Sequence, residues 1–371
     1  MILFPFPVLS CWPAALQWLL LVTGAIASGQ ALAWFGLPAA RFLGPMLLAI
    51  VWGVQGMQIR IPRSAFHFSQ SCVGLLLAHS ASVAVLATLW QSFGLILMAT
   101  ALTLGFSLIV GAGLAWLGRI PVLTALCGMA PGAASAMVLL AEEYGADVRS
   151  VTTMQYVRVI CVVVLGALVS QLFGGDALLQ GAAVIRPEPA SLPGLLLMMG
   201  IIFIGLRAGP HLPAGTLLLP MLSGAALQLL GVLQISLPDW LLALAYSILG
   251  SYVGLRFDRA TVRYVWSRLP GILLGSLVLI ALCAASAWLL ARQMDKDFLS
   301  VYLATSPGGL DSMAIMAMDI QADTGLVLAM QTLRLFSVIL LASLVSRQIV
   351  RLLRRRKALA IAAITPGSRV L

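Results

Sequence analysis

No formal charge lies between Arg63 and Arg119; every residue from Ser64 to Gly118 is uncharged. A soluble domain cannot leave that much chain without surface charge, whereas an apolar run of about 20 residues spans a bilayer core. The remainder of the chain carries the same constraint. Of 371 residues, 61% are hydrophobic and only 9% charged, against roughly 45–50% and 25% in an ordinary soluble domain. This excludes a soluble enzyme, a DNA-binding domain and a disordered chain. The apolar runs are continuous and lack the alternation of barrel strands. The expected fold is an all-α polytopic membrane protein.

Apolar runs bounded by Gly, Pro or charge give twelve segments, near 15–35, 40–57, 68–89, 93–117, 121–143, 150–174, 193–209, 213–232, 239–256, 269–291, 299–319 and 325–346. Trp18, Trp34, Trp90, Trp116, Trp240, Trp266 and Trp288 fall near segment ends, as headgroup-level aromatics do. The sequence is one motif written twice. Pro131-Gly132 with Met137 matches Pro307-Gly308 with Met313. The match runs on without a gap at an offset of 176 through Asp147/Asp323, Gln155/Gln331 and Arg158/Arg334. Leu37-Pro38-Ala39 and Pro45-Met46-Leu47 recur as Leu212-Pro213-Ala214 and Pro220-Met221-Leu222. A weaker third match sets Val73-Gly74-Leu75 against Val253-Gly254-Leu255. The expected organisation is a first repeat over 1–175, a polar linker over 176–192, a second repeat over 193–346 and a basic cytoplasmic tail over 347–371.

Loop charge bears on how the repeats are oriented. With the tail inside, twelve full spans place six basic residues inside and seven outside, against the positive-inside rule. Letting each Pro-Gly segment enter and leave by one side changes the count. Arg60, Arg63, Arg119, Arg149, Arg207, Arg256, Arg259, Arg263 and Arg268 then fall inside, and only Arg41, Arg186, Arg292 and Lys296 outside. The favoured architecture is two inverted repeats, each with five spans and a Pro-Gly broken or re-entrant hairpin, and both termini in the cytoplasm of a bacterial inner membrane.

Broken backbone at membrane depth is tolerated only inside protein or beside a polar cavity, and inverted-repeat carriers bind solutes there. The candidate binding residues are Pro131, Gly132 and Ser135 in the first half and Pro307, Gly308, Gly309, Asp311 and Ser312 in the second. Asp147 and Asp323 stand where helix N-caps are wanted. Eleven residues on, roughly 16 Å deeper, come Arg158 and Arg334, with Gln155 and Gln331 one turn earlier on the same face. An arginine at mid-bilayer marks a functional site by default; the alternative role is to neutralise the carbonyl ends of broken helices. Asp311 is the one acid expected deep in the membrane, either pairing with Arg334 or coupling a proton or cation. Glu142 and Glu143 read as solvated ends, and Pro45 and Pro220 as packing kinks.

The five cysteines have no CxxC spacing, and His67, His79 and His211 lie apart without carboxylates to join them. No metal site, cofactor or enzymatic activity is expected. The basic tail has no stacking aromatic, so direct nucleic-acid binding is not expected either. The expected partners are a small solute, the lipid bilayer and a coupling proton or cation.

The duplicated P-G-x-x-x-x-M, A-D and M-Q-x-x-R pattern, with Gly44-Pro45-Met46-Leu47, resembles the AbrB-type membrane protein family over roughly residues 10–350. That family is built on a tandem AbrB duplication and is similar to the cation/proton-antiporter and anion-transporter superfamily. The resemblance implies one of two labels, a transcriptional regulator or an ammonia monooxygenase. The chain lacks the metal-ligand cluster of the second and the DNA-reading element of the first. One departure from internal symmetry is Ala133, where the second half has Gly309. The function expected is secondary transport or export of a small anionic or zwitterionic solute, with a membrane sensor acting indirectly on gene expression as the alternative.

Overall fold

The computed structural model describes residues 9, 12–79, 92–118, 120–131, 137, 141–142, 145–173, 192–212 and 215–338, and among them there is no strand. The expected linker is therefore almost wholly outside the described residues, and the tail, Gly132, Ser135 and Glu143 are entirely so. The first half contributes α1 (Ala14–Trp34), α2 (Ala40–Val54), α3 (Arg63–Ala78), α4 (Phe93–Gly118), α5 (Val122–Met129) and α6 (Val148–Phe173). The second contributes α7 (Leu192–Ala208), α8 (Gly215–Leu229), α9 (Asp239–Gly254), α10 (Arg259–Val265), α11 (Leu269–Met294), α12 (Phe298–Thr305), α13 (Leu310–Asp319) and α14 (Thr324–Val338).

Local chemistry sets many of these limits. Pro13, Pro62, Pro121 and Pro238 immediately precede α1, α3, α5 and α9, where a missing N–H costs nothing. Gly56 and Gly231, at φ +95° and +71°, follow α2 and α8 and take the left-handed conformation that ends a helix. Five helices, α1, α4, α6, α7 with its following turn, and α11, are long and apolar enough to cross a bilayer. The chain is an all-helical, multi-pass membrane protein. The segments expected at 40–57 and 239–256 are shorter as built, α2 and α9 having 15 and 16 residues, about 22–24 Å; α3 and α8 have 16 and 15, and residues 80–89 and 213–214 of the segments expected there lie outside the described residues. The arginine cluster after α9 forms a further helix, α10, that hydrophobicity alone does not reveal.

The helices pack as two groups. In one, α2 lies on α9 and α3 on α8, with α1 against α2 and α7 against α8 and α3. In the other, α4 packs on α11 and α5, α6 on α5 and α11, and α12 on α11. Between them, α13 touches α3. Close backbone approach holds the first group together. A Cβ on Gly74 would stand 2.2 Å from the Leu217 carbonyl, and one on Gly250 2.2 Å from the Phe42 carbonyl. Gly74 and Gly250, 176 residues apart, make the same kind of approach; the expected match set Gly74 against Gly254. Gly254 has its own close neighbour, the Met46 carbonyl. Gly250 and Gly254, one turn apart, face the same helix. Helix limits recur at similar offsets: α4 and α11 both have 26 residues and start 176 apart, as do the eight-residue α5 and α12.

The directions of the helices follow from contacts. Gly271 neighbours Leu114, and Gly275 neighbours Val110, so α4 and α11 run antiparallel. Asp147, before α6, meets Arg268 at the start of α11 at 3.5 Å, and Asp323, before α14, meets Lys296 just past its end at 2.8 Å. The two aspartates therefore sit at opposite ends of a helix about 39 Å long. Trp34 and Trp116 are 91% and 84% exposed, a position suited to a lipid interface.

Replacing Gly74 or Gly250 by Val should lower stability by about 1–3 kcal/mol through overpacking, read as a lowered thermal midpoint in detergent. Gly105→Ala, where a Cβ meets nothing within 4 Å, should leave it unchanged or raised.

Candidate functional site

Each Pro-Gly break begins with the residue before proline, which sterics push out of the helical region. Ala130 takes φ −61°, ψ 121° and Ser306 takes φ −55°, ψ 134°, and α5 and α12 end there. In the second half the chain then passes Pro307 and Gly308, is extended at Gly309, and restarts as α13 at Leu310. Both breaks leave helix-end carbonyls without intrahelical donors.

Two glutamine–arginine pairs supply the donors. Gln155 Nε2 donates to the carbonyls of Cys127 (2.7 Å) and Ala130 (3.0 Å). Gln331 Nε2 donates to those of Leu303 (2.9 Å) and Ser306 (3.2 Å), the same positions 176 residues on. Each glutamine accepts, through Oε1, from the arginine one turn later. Arg158, 1% exposed, donates from Nη1 to the Met129 and Ala130 carbonyls at 3.0 and 2.9 Å. Its Nε donates to the Pro307 carbonyl at 2.9 Å, so one guanidinium joins both breaks. Arg334, 4% exposed, donates to the Ser306 and Gly308 carbonyls of its own half. Its Nε has no hydrogen-bond partner among the described residues. The geometry gives the arginines to the negative ends of two helices, and leaves one buried donor of Arg334 unused.

The segments flanking each break return to where they began. The Asp147 amide donates to Thr124 Oγ1 at 3.1 Å, and the Asp323 amide to Ser300 Oγ at 2.7 Å. Ahead of them, tight turns carry Ala146 N–H to the Ala141 carbonyl and Ala322 N–H to that of Ala317. Asp147 Oδ1 accepts the Ser150 amide at 3.2 Å, and Asp323 Oδ1 the Leu326 amide at 3.0 Å, as N-caps do. Partial burial would raise the Asp147 pKa, but hydrogen bonds from the Ser150 hydroxyl and amide and from the Tyr264 hydroxyl outweigh it and hold the carboxyl below its ordinary value.

Asp311 does not pair with Arg334. The two ion pairs among the described residues are those of Asp147 and Asp323. Instead Asp311 Oδ2 accepts from Gln70 Nε2 at 2.8 Å, and Gln70 Oε1 accepts from Thr216 Oγ1 at 2.5 Å. Its position in the first turn of α13 faces it toward α3, away from the arginine. Ser312 Oγ donates to the Gly309 carbonyl and Pro131 is buried beside the first break. Glu142 is exposed. Among the described residues no three His, Cys, Asp or Glu come together.

Sequence reasoning passed over Gln70, Thr216, Thr124 and Ser300. It also passed over Asp319, whose Oδ2 accepts the Ala39 amide at the start of α2 at 2.7 Å. The hydroxyls of Thr124 and Ser300 lie 176 apart, a signal the offset carried; Gln70 and Asp319 join distant segments and left none.

Arg158→Met should strand the Met129 and Pro307 carbonyls and Gln155 Oε1 and cost about 2–5 kcal/mol. The check is thermal unfolding in detergent, where Arg158→Lys should recover part of the loss.

A family model described as "Transition state regulatory protein AbrB" matches residues 41–350. A protein of Escherichia coli (strain K12) named "Putative regulator AbrB" is 41% identical over 324 residues, covering 87% of this chain and 93% of that protein. "Uncharacterized protein YhjN" of Bacillus subtilis (strain 168) is 26% identical over 300 residues, 76% of this chain and 77% of that protein. With the match running through both Pro-Gly breaks and both buried arginines, the chain belongs to the AbrB family.

Proposed function

We propose that this protein is a secondary carrier of a small anionic or zwitterionic solute, not an enzyme, with its site where the two Pro-Gly breaks meet. The observation that carries the reading is Arg158, which binds carbonyls from both breaks, while the aspartates opening α6 and α14 sit at opposite ends of α11. Two hairpins that enter from opposite faces and meet tip to tip are the arrangement of inverted repeats, five spans and one re-entrant hairpin each. The amide-to-hydroxyl bonds at Thr124 and Ser300 support re-entrance, because they bring each hairpin back to its own side.

The buried positive charge favours an anion. Neither Arg158 nor Arg334 has a carboxylate partner among the described residues, and carbonyl dipoles offset such charge only in part. Asp311, tied to Gln70 on α3 across the two helix groups, is placed to couple a proton or cation to their relative movement. The end of the molecule carrying Asp147 also gathers Arg60, Arg63, Arg149, Arg256 and Arg259, which supports reading it as the cytoplasmic end in an inner membrane. α1 runs antiparallel to α2, since Gly29 neighbours Arg41 and Gly24 neighbours Trp52, so it begins at that end.

A second reading, a membrane sensor that acts on gene expression through another protein, draws on the name of the Escherichia coli relative. The basic tail would be its contact surface.

One comparison separates the two. A thermal-shift screen of organic anions and zwitterions supplies the solute, and its uptake into vesicles is then measured. Arg158→Lys and Arg334→Ala should reduce uptake at least tenfold while truncation after Lys357 leaves it intact. Loss on truncation with full uptake in both arginine variants would exclude the carrier.

A further inference from the structure

At the end of the molecule carrying Asp147 the structure opens a cleft of about 1070 Å³ that is separate from the breaks. Three segments distant in sequence build it: the α2–α3 connection, the first turns of α6, and the α9–α10 connection. Its charged lining is Arg60, Arg63, Arg149, Arg256, Arg259 and one acid, Asp258, five positive charges against one negative. The carboxylate of Asp258 is already engaged, accepting the Thr261 amide at 2.6 Å as the cap of α10.

Like charges brought together repel, and a bias toward one membrane face accounts for the side on which arginines lie, not for their gathering round a single cavity. Two of the guanidiniums are also held in place by groups that leave their charge intact. Arg256 lies 4.7 Å from the Tyr252 ring and 5.7 Å from that of Tyr156, and accepts orientation from its hydrogen bond to the Tyr252 hydroxyl. Arg149 lies 4.9 Å over the Tyr264 ring. Guanidiniums held as those of Arg149 and Arg256 are, on a concave surface, are suited to phosphate oxygens, which they bind by paired charge-assisted hydrogen bonds. Thr152 and Thr153 add hydroxyls on the same wall.

We infer that this cleft is a binding site for a phosphate-bearing anion. The site stands on its own lining and does not depend on transport through the breaks. Its ligand is a phosphorylated small molecule or the phosphate headgroup of an anionic lipid, which share this chemistry.

The test uses the full chain in phosphatidylcholine nanodiscs, with inorganic pyrophosphate and short-chain phosphatidylglycerol as probes in titration calorimetry. Saturable pyrophosphate binding is expected, weakened at least about tenfold in the double variant Arg60→Gln/Arg149→Gln. Arg60→Glu, on an exposed connection, should weaken it too with an unchanged thermal midpoint. Arg292→Gln, whose guanidinium stacks on Trp288 at the other end of α11, should bind as the parent does. Binding of phosphatidylglycerol alone, with the same losses, supports the site and identifies a lipid headgroup. Absence of saturable binding of either probe, or binding unaffected by the cleft substitutions, overturns the inference.

Discussion

Everything distinctive in this molecule follows from the need to satisfy helix-end carbonyls far from water. Proline ends α5 and α12 inside the protein, and an unpaired buried carbonyl costs about 1–3 kcal/mol. Gln155 with Arg158 and Gln331 with Arg334 supply the missing donors in the same positions of each half. The two side chains act as units, the glutamine accepting from its arginine and donating to the helix end. A buried guanidinium is costly in hydrocarbon and is tolerated here because nearly all its donors are used. Arg334 Nε, without a hydrogen-bond partner among the described residues, stands where the symmetry of the two halves is broken: Arg158 crosses to the other break, and Arg334 stays with its own.

The two groups of helices divide the labour. Gly74 on Leu217 and Gly250 on Phe42 bring backbones so close that the first group is built as a rigid layer. The second group contains both breaks. Polar contacts link the two through α13, where Asp311 meets Gln70 and Asp319 meets the Ala39 amide. An apolar core that includes Phe42, Val73, Ile96 and Val162 also runs across both groups.

Much of this was legible in the residues. A charge-free stretch between Arg63 and Arg119 allowed only membrane helices, and the 176-residue offset picked out Asp147, Gln155, Arg158 and their mates before any coordinates. The buried arginines were visible as anomalies, but which atoms they would hold was not, because carbonyls carry no sequence signature. Of the two roles expected for Asp311, the pairing with Arg334 is not formed; its partner is Gln70, a residue 241 positions away with no pattern to mark it. The C-terminal ends of α2 and α8 were placed too far along because hydropathy continues past the point where Gly56 and Gly231 turn the chain.

The central claim is that the two hairpins enter from opposite faces of the membrane. Arg149, beside Asp147, and Lys296, beside Asp323, mark the two ends. Single substitutions Arg149→Cys and Lys296→Cys, made with the native cysteines replaced by Ala, can be labelled with a membrane-impermeant maleimide in right-side-out and inverted vesicles. The account predicts that Lys296→Cys reacts only in right-side-out vesicles and Arg149→Cys only in inverted ones. Reaction of both positions from the same face would contradict it.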